Sequence, residues 1–429
     1  MTPQRQRILN IGLAFYALLT LGRAISNVAH TYGAGDLYIY WYAGHFVREQ
    51  RNPYLAHLNG EAPTTPVTYL DGATFDKLPP PWITPSAPLT NTSPYVLLLV
   101  LLSAVNWYIA KWSFFLINFV LALLMPRVAL WALKLNWTTA DQLTVHLLSF
   151  TMLSTRTTLV NSQNSLMILL VILLSLVIYG DGGWRFGRFQ RWGVAVLLGL
   201  ALSKISLVIA IMLLLLTLRQ LRPLIIAVIV QIVATAGLGI WTATSPLAIL
   251  DAHVQIFRTV SAFDGIHLAY LLPAATGPIL IATVGLFGWL AYWSLYHQSI
   301  LQNSQNMRLN LFAILTVWSL LFAYHGPYDA VLLLPVYLYM VDSVRQRAWA
   351  LTQIEAQAVI CLIGAGIFIQ LLPGNIDLST WLTTPPLWPT ILPKLIAGHM
   401  LSLFFTLLFI TLKRSSPRST LAKSAPLLL

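Results

Sequence analysis

GVAVLLGLALSKISLVIAIMLLLL, residues 193–216, is apolar except for Ser203, Lys204 and Ser206. An α-helix needs about 20 such residues to cross the hydrocarbon core of a bilayer, and this run supplies them. Outward from it, runs of the same character recur from end to end. The first covers Ile8 to Ile25, and others centre near Val100, Phe119, Leu148, Leu170, Val230, Gly285, Leu315, Leu334, Ile363 and Phe405. Hydrophobic residues make up 57% of the chain and charged residues 9%, against about 25% charged in soluble domains. No polar stretch is long enough to form a soluble enzyme domain on a membrane anchor. The expected fold is therefore an all-α integral membrane protein, a polytopic bundle of about 10–12 transmembrane helices. It forms a single domain over residues 1–429.

The charge balance, 25 Lys and Arg against 13 Asp and Glu, orients the chain. The basic residues lie scattered between apolar runs and form no stripe for nucleic acid. They suit cytoplasmic loops and contact with anionic membrane lipids instead. Arg5 and Arg7, Arg219 and Arg222, Arg308, Arg345 and Arg347, and Lys413, Arg414, Arg418 and Lys423 read as inside, so both termini are cytoplasmic. The 242–276 loop, the His325 turn and the 373–391 loop then face outward. Arg185, Arg188 and Arg191 also look cytoplasmic, which twelve plain crossings would not allow. Two runs can resolve this by dipping in without crossing: the short one at 93–106 and the 193–218 run, interrupted at Lys204. The first run reads as an uncleaved span rather than a signal peptide. Cys361, the single cysteine, reads as a buried thiol and excludes an intrachain disulfide or a cysteine metal site.

The first outer loop, about residues 27–92, is the least membrane-like part of the chain. It holds Asp36, Glu49, Glu61, Asp71 and Asp76, and its second half is rich in Pro and Thr. Within it DLYIYWYAGHFVR, residues 36–48, places aromatics on several faces. That pattern predicts a helix lying at the interface, where Tyr and Trp are favoured.

Four places carry candidate chemistry. Asp36, beyond the first span, is either a helix N-terminal partner or a general base at the membrane surface. Lys204 lies deep in an apolar run, a costly position that marks either a pair with a carboxylate or a cation for phosphate. NSQNS, residues 161–165, either caps a helix or hydrogen-bonds sugar and phosphate oxygens. AYHGPYDAVLLLP, residues 323–335, sets His325, Tyr328 and Asp329 in a tight turn made by Gly326 and Pro327. The sequence contains no Walker A, HExxH or GxSxG motif. Any chemistry must be gathered from several helices.

These features resemble the C-class glycosyltransferases, and more closely glycosyltransferase family 87. That family includes polyprenol-phosphate-mannose-dependent mannosyltransferases of bacterial envelope glycolipid synthesis. GAGDLYIYWYAGHFVREQRNPY is similar to the family's early acidic residue, aromatic helix and closing Pro-Tyr. NSQNSLMILLVILL, paired with the Lys204 run and its basic exit, resembles the family's Gln-containing and glycine-rich spans. The His325 turn leading into VLLLPVYLY is the third likeness, and together the three cover most of residues 8–345.

The resemblance implies a C-class architecture whose large first outer loop carries interfacial helices, in a bacterial plasma membrane. The implied reaction moves a hexose such as mannose, with inversion, from a polyprenyl-phosphate donor to a glycolipid or glycan acceptor at the extracytoplasmic face. Asp36 would be the catalytic base, and Lys204 and Arg156 would hold the donor phosphate. Tyr38, Gln163, Asn164, His325 and Asp329 would position donor or acceptor, with no metal and no cofactor. Asp36, Lys204 and His325 should then line one outward-facing site. A multispan transporter or flippase of a lipid-linked or small polar substrate is the alternative, because it too has broken helices and polar groups near midplane.

Overall fold

The computed structural model describes residues 2–29, 34–61, 64, 89, 91–180, 186–260, scattered positions between 283 and 301, 304–322, 326–349, 351–371 and 388–415. It is helical, with no strand among the described residues. The first third contains α1 (Pro3–Ala29), α2 (Gly35–Arg48), α3 (Pro53–Leu58), α4 (Ser93–Val100) and α5 (Trp107–Leu133). Next come α6 (Thr139–Thr151), α7 (Leu153–Asn161), α8 (Ser165–Gly180), α9 (Arg188–Ala201), α10 (Ile205–Thr217), α11 (Leu221–Trp241) and α12 (Pro246–Val260). The last part holds α13 (Gln305–Phe322), α14 (Leu333–Arg345), α15 (Gln353–Leu371) and α16 (Trp388–Ser415).

Six stretches among the described residues are long and apolar enough to cross a membrane: α1, α5, 188–217, α11, α15 and 394–413 within α16. Their outer faces explain why. Phe15, Leu18, Ile232, Val233 and Phe368 are each more than 60% exposed. Contiguous apolar surface of that kind is stable against lipid and would drive aggregation in water. Cys361 lies on such a surface, so the thiol expected to be buried is exposed. Its run faces outward because the α15 core contacts come from Val359, Ile363, Gly366 and Gln370 instead.

The remaining apolar runs are short or broken, and the breaks place the polar residues. α4 has only 8 residues before the chain turns through 102–104, so the 93–106 run is too short to cross, one of the two options open in the sequence. α6 stops where Met152 takes extended backbone (φ −58°, ψ 138°), and α7 restarts at once. Lys204 leaves the helical region (φ −121°, ψ 75°) and splits 188–217 into α9 and α10.

The two arms double back. Gly199 of α9 sits against Ala227 and Val230 of α11, where a Cβ would lie 2.6 Å from Val230. Thr92 donates its N–H to the Ser203 carbonyl (3.1 Å) and its hydroxyl to Gln231 of α11 (2.8 Å). α9 and α11 therefore run side by side in one direction. The 13 residues of α10, about 20 Å of helix, must descend from Lys204 to reach Leu221.

α2 is the expected aromatic helix, but protein covers it rather than an open interface. Residues 37–47 are all buried. Trp41 Nε1 donates to the carbonyls of Leu102 (3.0 Å) and Val105 (3.2 Å), and Arg48 donates to the Ser103 carbonyl (2.7 Å). Gly44 permits the approach, since a Cβ there would lie 2.7 Å from Ser103 Cβ. The aromatics on several faces are used to pack against α4, α5 and the 102–104 turn.

Contacts between helix ends sort the bundle into two poles. At one, Gln6 of α1 and Arg345 of α14 both reach Asp141 of α6. Gln305 of α13 donates to the Leu133 carbonyl of α5 (3.1 Å), and Lys413 of α16 pairs with Glu355 of α15 (2.7 Å). This pole collects Arg5, Arg7, Lys134, Arg308 and Arg345. The other pole holds Asp36, the break at Lys204 and the short helix Pro327–Leu332.

Candidate functional site

At the second pole four segments converge on two carboxylates. Asp36 lies in the first turn of α2, just after Ala34 in the left-handed conformation (φ 64°). That strained residue aims the helix start inward, toward the junction between α7 and α8. Gln163 Nε2 donates to Asp36 Oδ2, and Asn161 is also within hydrogen-bonding reach. Gln163 is presented by a second left-handed residue, Ser162 (φ 51°), which ends α7.

The second carboxylate, Asp329, is fully buried. Its Oδ1 accepts from Lys204 Nζ (2.7 Å) and from Ser165 Oγ (2.6 Å) at the start of α8. The Lys204 ammonium also lies 4.6 Å from the centre of the Tyr328 ring, a cation–π distance. Of the two sequence options for Lys204, the pair with a carboxylate is the one realised. The α9–α10 break puts Lys204 at the tip between the two helices, within reach of Asp329 in the short helix Pro327–Leu332.

Asp36 feels both members of this pair. Burial raises its carboxyl above the ordinary value, opposed by the Gln163 hydrogen bond and the positive charge of Lys204, while Asp329 pushes it up again. Asp36 as a residue is half-buried. The arrangement is a base beside a cation whose charge is answered by a buried anion.

Other expected site residues fall elsewhere. Arg156 turns to α1, where it donates to Tyr16 Oη (3.1 Å) and stacks 5.5 Å from that ring, with Arg23 nearby. It belongs to the opposite face of α7 from Asn161, so the expected pairing of Arg156 with Lys204 is not formed. Tyr38 is 4% exposed and packs edge-on to Trp107 (5.0 Å), beside Trp41 and Tyr42. It is part of the aromatic core rather than the wall of a site. Asn164 is 2% exposed, and its Oδ1 has no partner among the described residues. Asp329 holds Lys204 and is closed off from solvent, which removes it from direct contact with a substrate. His325 lies outside the described residues. Tyr328, marked in the sequence with the His325 turn, meets Lys204, and Ser165, the last residue of the NSQNS stretch, meets Asp329; only the fold reveals these partners. No metal-binding group of His, Cys, Asp and Glu occurs among the described residues.

The fold and this pole define a class: a multi-pass helical membrane protein with a polar, charge-paired centre at one end of its bundle. No family model, curated protein or solved structure compared with the chain matches it.

Proposed function

We propose that the chain is a membrane glycosyltransferase that moves a hexose from a polyprenyl-phosphate donor to a lipid or glycan acceptor at the extracytoplasmic face. The observation that carries this reading is the meeting of Asp36, raised in basicity by burial, with Lys204 at one pole of the bundle. Asp36 takes the proton from an acceptor hydroxyl as that oxygen attacks the anomeric carbon. The bond from the anomeric carbon to the phosphate oxygen breaks on the opposite face, so configuration inverts and polyprenyl phosphate leaves.

Lys204 answers the charge that develops on the departing phosphate. An ammonium has three donors, and Asp329 takes one, which fixes its direction and leaves others for the phosphate. Gln163 holds the Asp36 carboxylate in place. The basic pole is cytoplasmic by the distribution of Lys and Arg, which puts the Asp36 pole outside.

The test is transfer of a labelled hexose from polyprenyl-phosphate mannose or glucose by purified protein in lipid nanodiscs, with host lipid extract as acceptor. Transfer that disappears in Asp36→Asn while the protein stays folded supports the reading. Full activity in Asp36→Asn removes Asp36 as the base. The broken α9–α10 hairpin and the buried pair are also features of transporters. Substrate accumulation in proteoliposomes without transfer would establish that reading instead.

A further inference from the structure

Past the end of α11 the chain carries a helix, α12, that the transfer chemistry does not use. Ala243 takes the left-handed conformation (φ 49°), and Thr244 donates its N–H to the Gly239 carbonyl (2.9 Å), so the chain folds back on the span it has just left. Gly239 permits that reversal, since a Cβ there would lie 2.7 Å from the Thr244 carbonyl oxygen and 3.5 Å from the Pro246 ring. The first turn of α12 is therefore level with the last turn of α11, at the Asp36 pole.

α12 presents three faces. Ile249, Ala252 and Ile256, three and four residues apart, are buried in one core cluster with Leu37 of α2 and Tyr54 of α3. His253 beside them meets the Tyr54 ring edge-on (5.4 Å). A second face is polar: Asp251 and Gln255, one turn apart, are exposed and joined by a hydrogen bond (2.8 Å). The third is apolar and open. Leu247 (78% exposed), Leu250 and Val254 are again three and four residues apart, so they share one stripe. A surface helix of a soluble protein needs only the first two faces. A third, apolar face calls for a second apolar medium.

The neighbouring span supplies that medium. α11 is long and apolar enough to cross a membrane and exposes Ile229, Ile232, Val233 and, at its end, Ile240 (85% exposed) and Trp241. The reversal at Gly239 brings Leu247 to the level of Ile240, so the open face of α12 continues the lipid-facing surface of the span. Trp241 is half-exposed and its indole N–H is satisfied by the Val47 carbonyl (2.6 Å), as suits a tryptophan at a membrane interface. From this geometry we infer that α12 is an interfacial helix whose Leu247–Leu250–Val254 stripe is embedded in the lipid leaflet at the Asp36 pole, with Asp251 and Gln255 toward water. Helices of this kind bury their apolar face about 5–10 Å into the boundary between headgroups and acyl chains. The contacts of Trp241 with α2 and of His253 with α3 would then fix the height of α2, and of Asp36 in its first turn, against the lipid surface. The inference does not rest on the transferase reading, because its readout is contact with lipid.

The experiment reads nitroxide accessibility in the full chain, reconstituted into nanodiscs of phosphatidylcholine and phosphatidylglycerol. Cys361, the single cysteine and an exposed one, is first replaced by Ser. Spin labels are then attached one at a time at Leu247→Cys, Leu250→Cys and Val254→Cys, with Asp251→Cys and Gln255→Cys as the water-facing pair. Molecular oxygen, which concentrates in lipid, is expected to relax the first three labels, at a depth of about 5–10 Å. A water-soluble nickel chelate is expected to relax the last two. Nickel access at Leu250→Cys and Val254→Cys equal to that at Asp251→Cys would overturn the inference. Labels on the stripe shielded from both reagents would overturn it as well, because protein, such as a second copy of the chain, would then cover the face. The three stripe positions are read independently, so one variant that fails to fold leaves the other two to decide.

Discussion

The two poles of the bundle use charge in opposite ways. At the basic pole the ion pairs Arg345–Asp141 (3.1 Å) and Lys413–Glu355 (2.7 Å) are partly exposed, and pairs of this kind contribute about 0–1 kcal/mol. At the Asp36 pole the pair Lys204–Asp329 (2.7 Å) is enclosed, with the Asp329 side chain at 0% exposure. There each group depends on the other, because an unpaired buried charge costs far more than a pair contributes. The contrast separates charges left at the surface from a charge held in a fixed place. A membrane protein that only needs orientation can leave its charges at the surface, while one that needs a cation in place must bury a counter-ion to hold it.

The sharpest way to break this contrast is Asp36→Asn. On the proposed transferase reading, loss of Asp36 as general base lowers the transfer rate about 100- to 10,000-fold, read by label transfer, with the melting temperature unchanged. The same carboxylate sets the pH dependence. A base must be deprotonated to act, so the rate falls as pH drops through the raised pKa of Asp36. The acid limb therefore lies above the ordinary aspartate value of about 4. Lys204 lowers the Asp36 pKa, so any residual activity in Lys204→Met has its acid limb moved to higher pH.

Next in size is stability. Lys204→Met leaves Asp329 buried without its cation and costs about 3 kcal/mol, read as a drop in melting temperature in detergent. The double variant Lys204→Met/Asp329→Asn recovers most of that loss, since no buried charge remains. Arg345→Met at the other pole is expected to change the melting temperature little, because Asp141 is partly exposed to water. Equal losses in Lys204→Met and Arg345→Met would erase the distinction between the poles.

Ser165→Ala is smaller again. It removes the Ser165 hydrogen bond to Asp329 Oδ1 and costs about 1–2 kcal/mol, while the ion pair with Lys204 persists. Smallest of all is the effect of Lys134→Glu on transfer. Lys134 ends α5 at the pole opposite Asp36, so the rate with a saturating donor stays within about twofold. A large change there would couple the poles.

Several features of the Asp36 pole were legible in the chain. Asp36, Lys204, Gln163 and Asp329 each stood out because a polar group in or beside an apolar run is costly and therefore rare. What each one does was not legible. Lys204 reads as a phosphate clamp or as a snorkelling or paired cation, and Arg156 as its helper. The direction of Arg156 depends on the rotation of α7 after its restart at Met152, a backbone break of a single residue. Tyr38 looked like a surface aromatic because its neighbours in sequence are aromatic too, yet Trp107 closes over it from 69 residues away.

That this is a helical membrane protein follows from its apolar runs and its composition alone. Runs of about 20 apolar residues can be counted without knowing what packs where, because lipid imposes the same demand on every span. The same runs also mark the breaks near residues 100 and 204, since apolar runs that are short or hold a lysine do not behave as plain crossings. The grouping of residues at the Asp36 pole exists only in the packed molecule. Gln163 meets Asp36 across 127 residues, and Lys204 meets Asp329 across 125. Contacts at that separation depend on the register and rotation of packed helices, and local propensity contains no information about either.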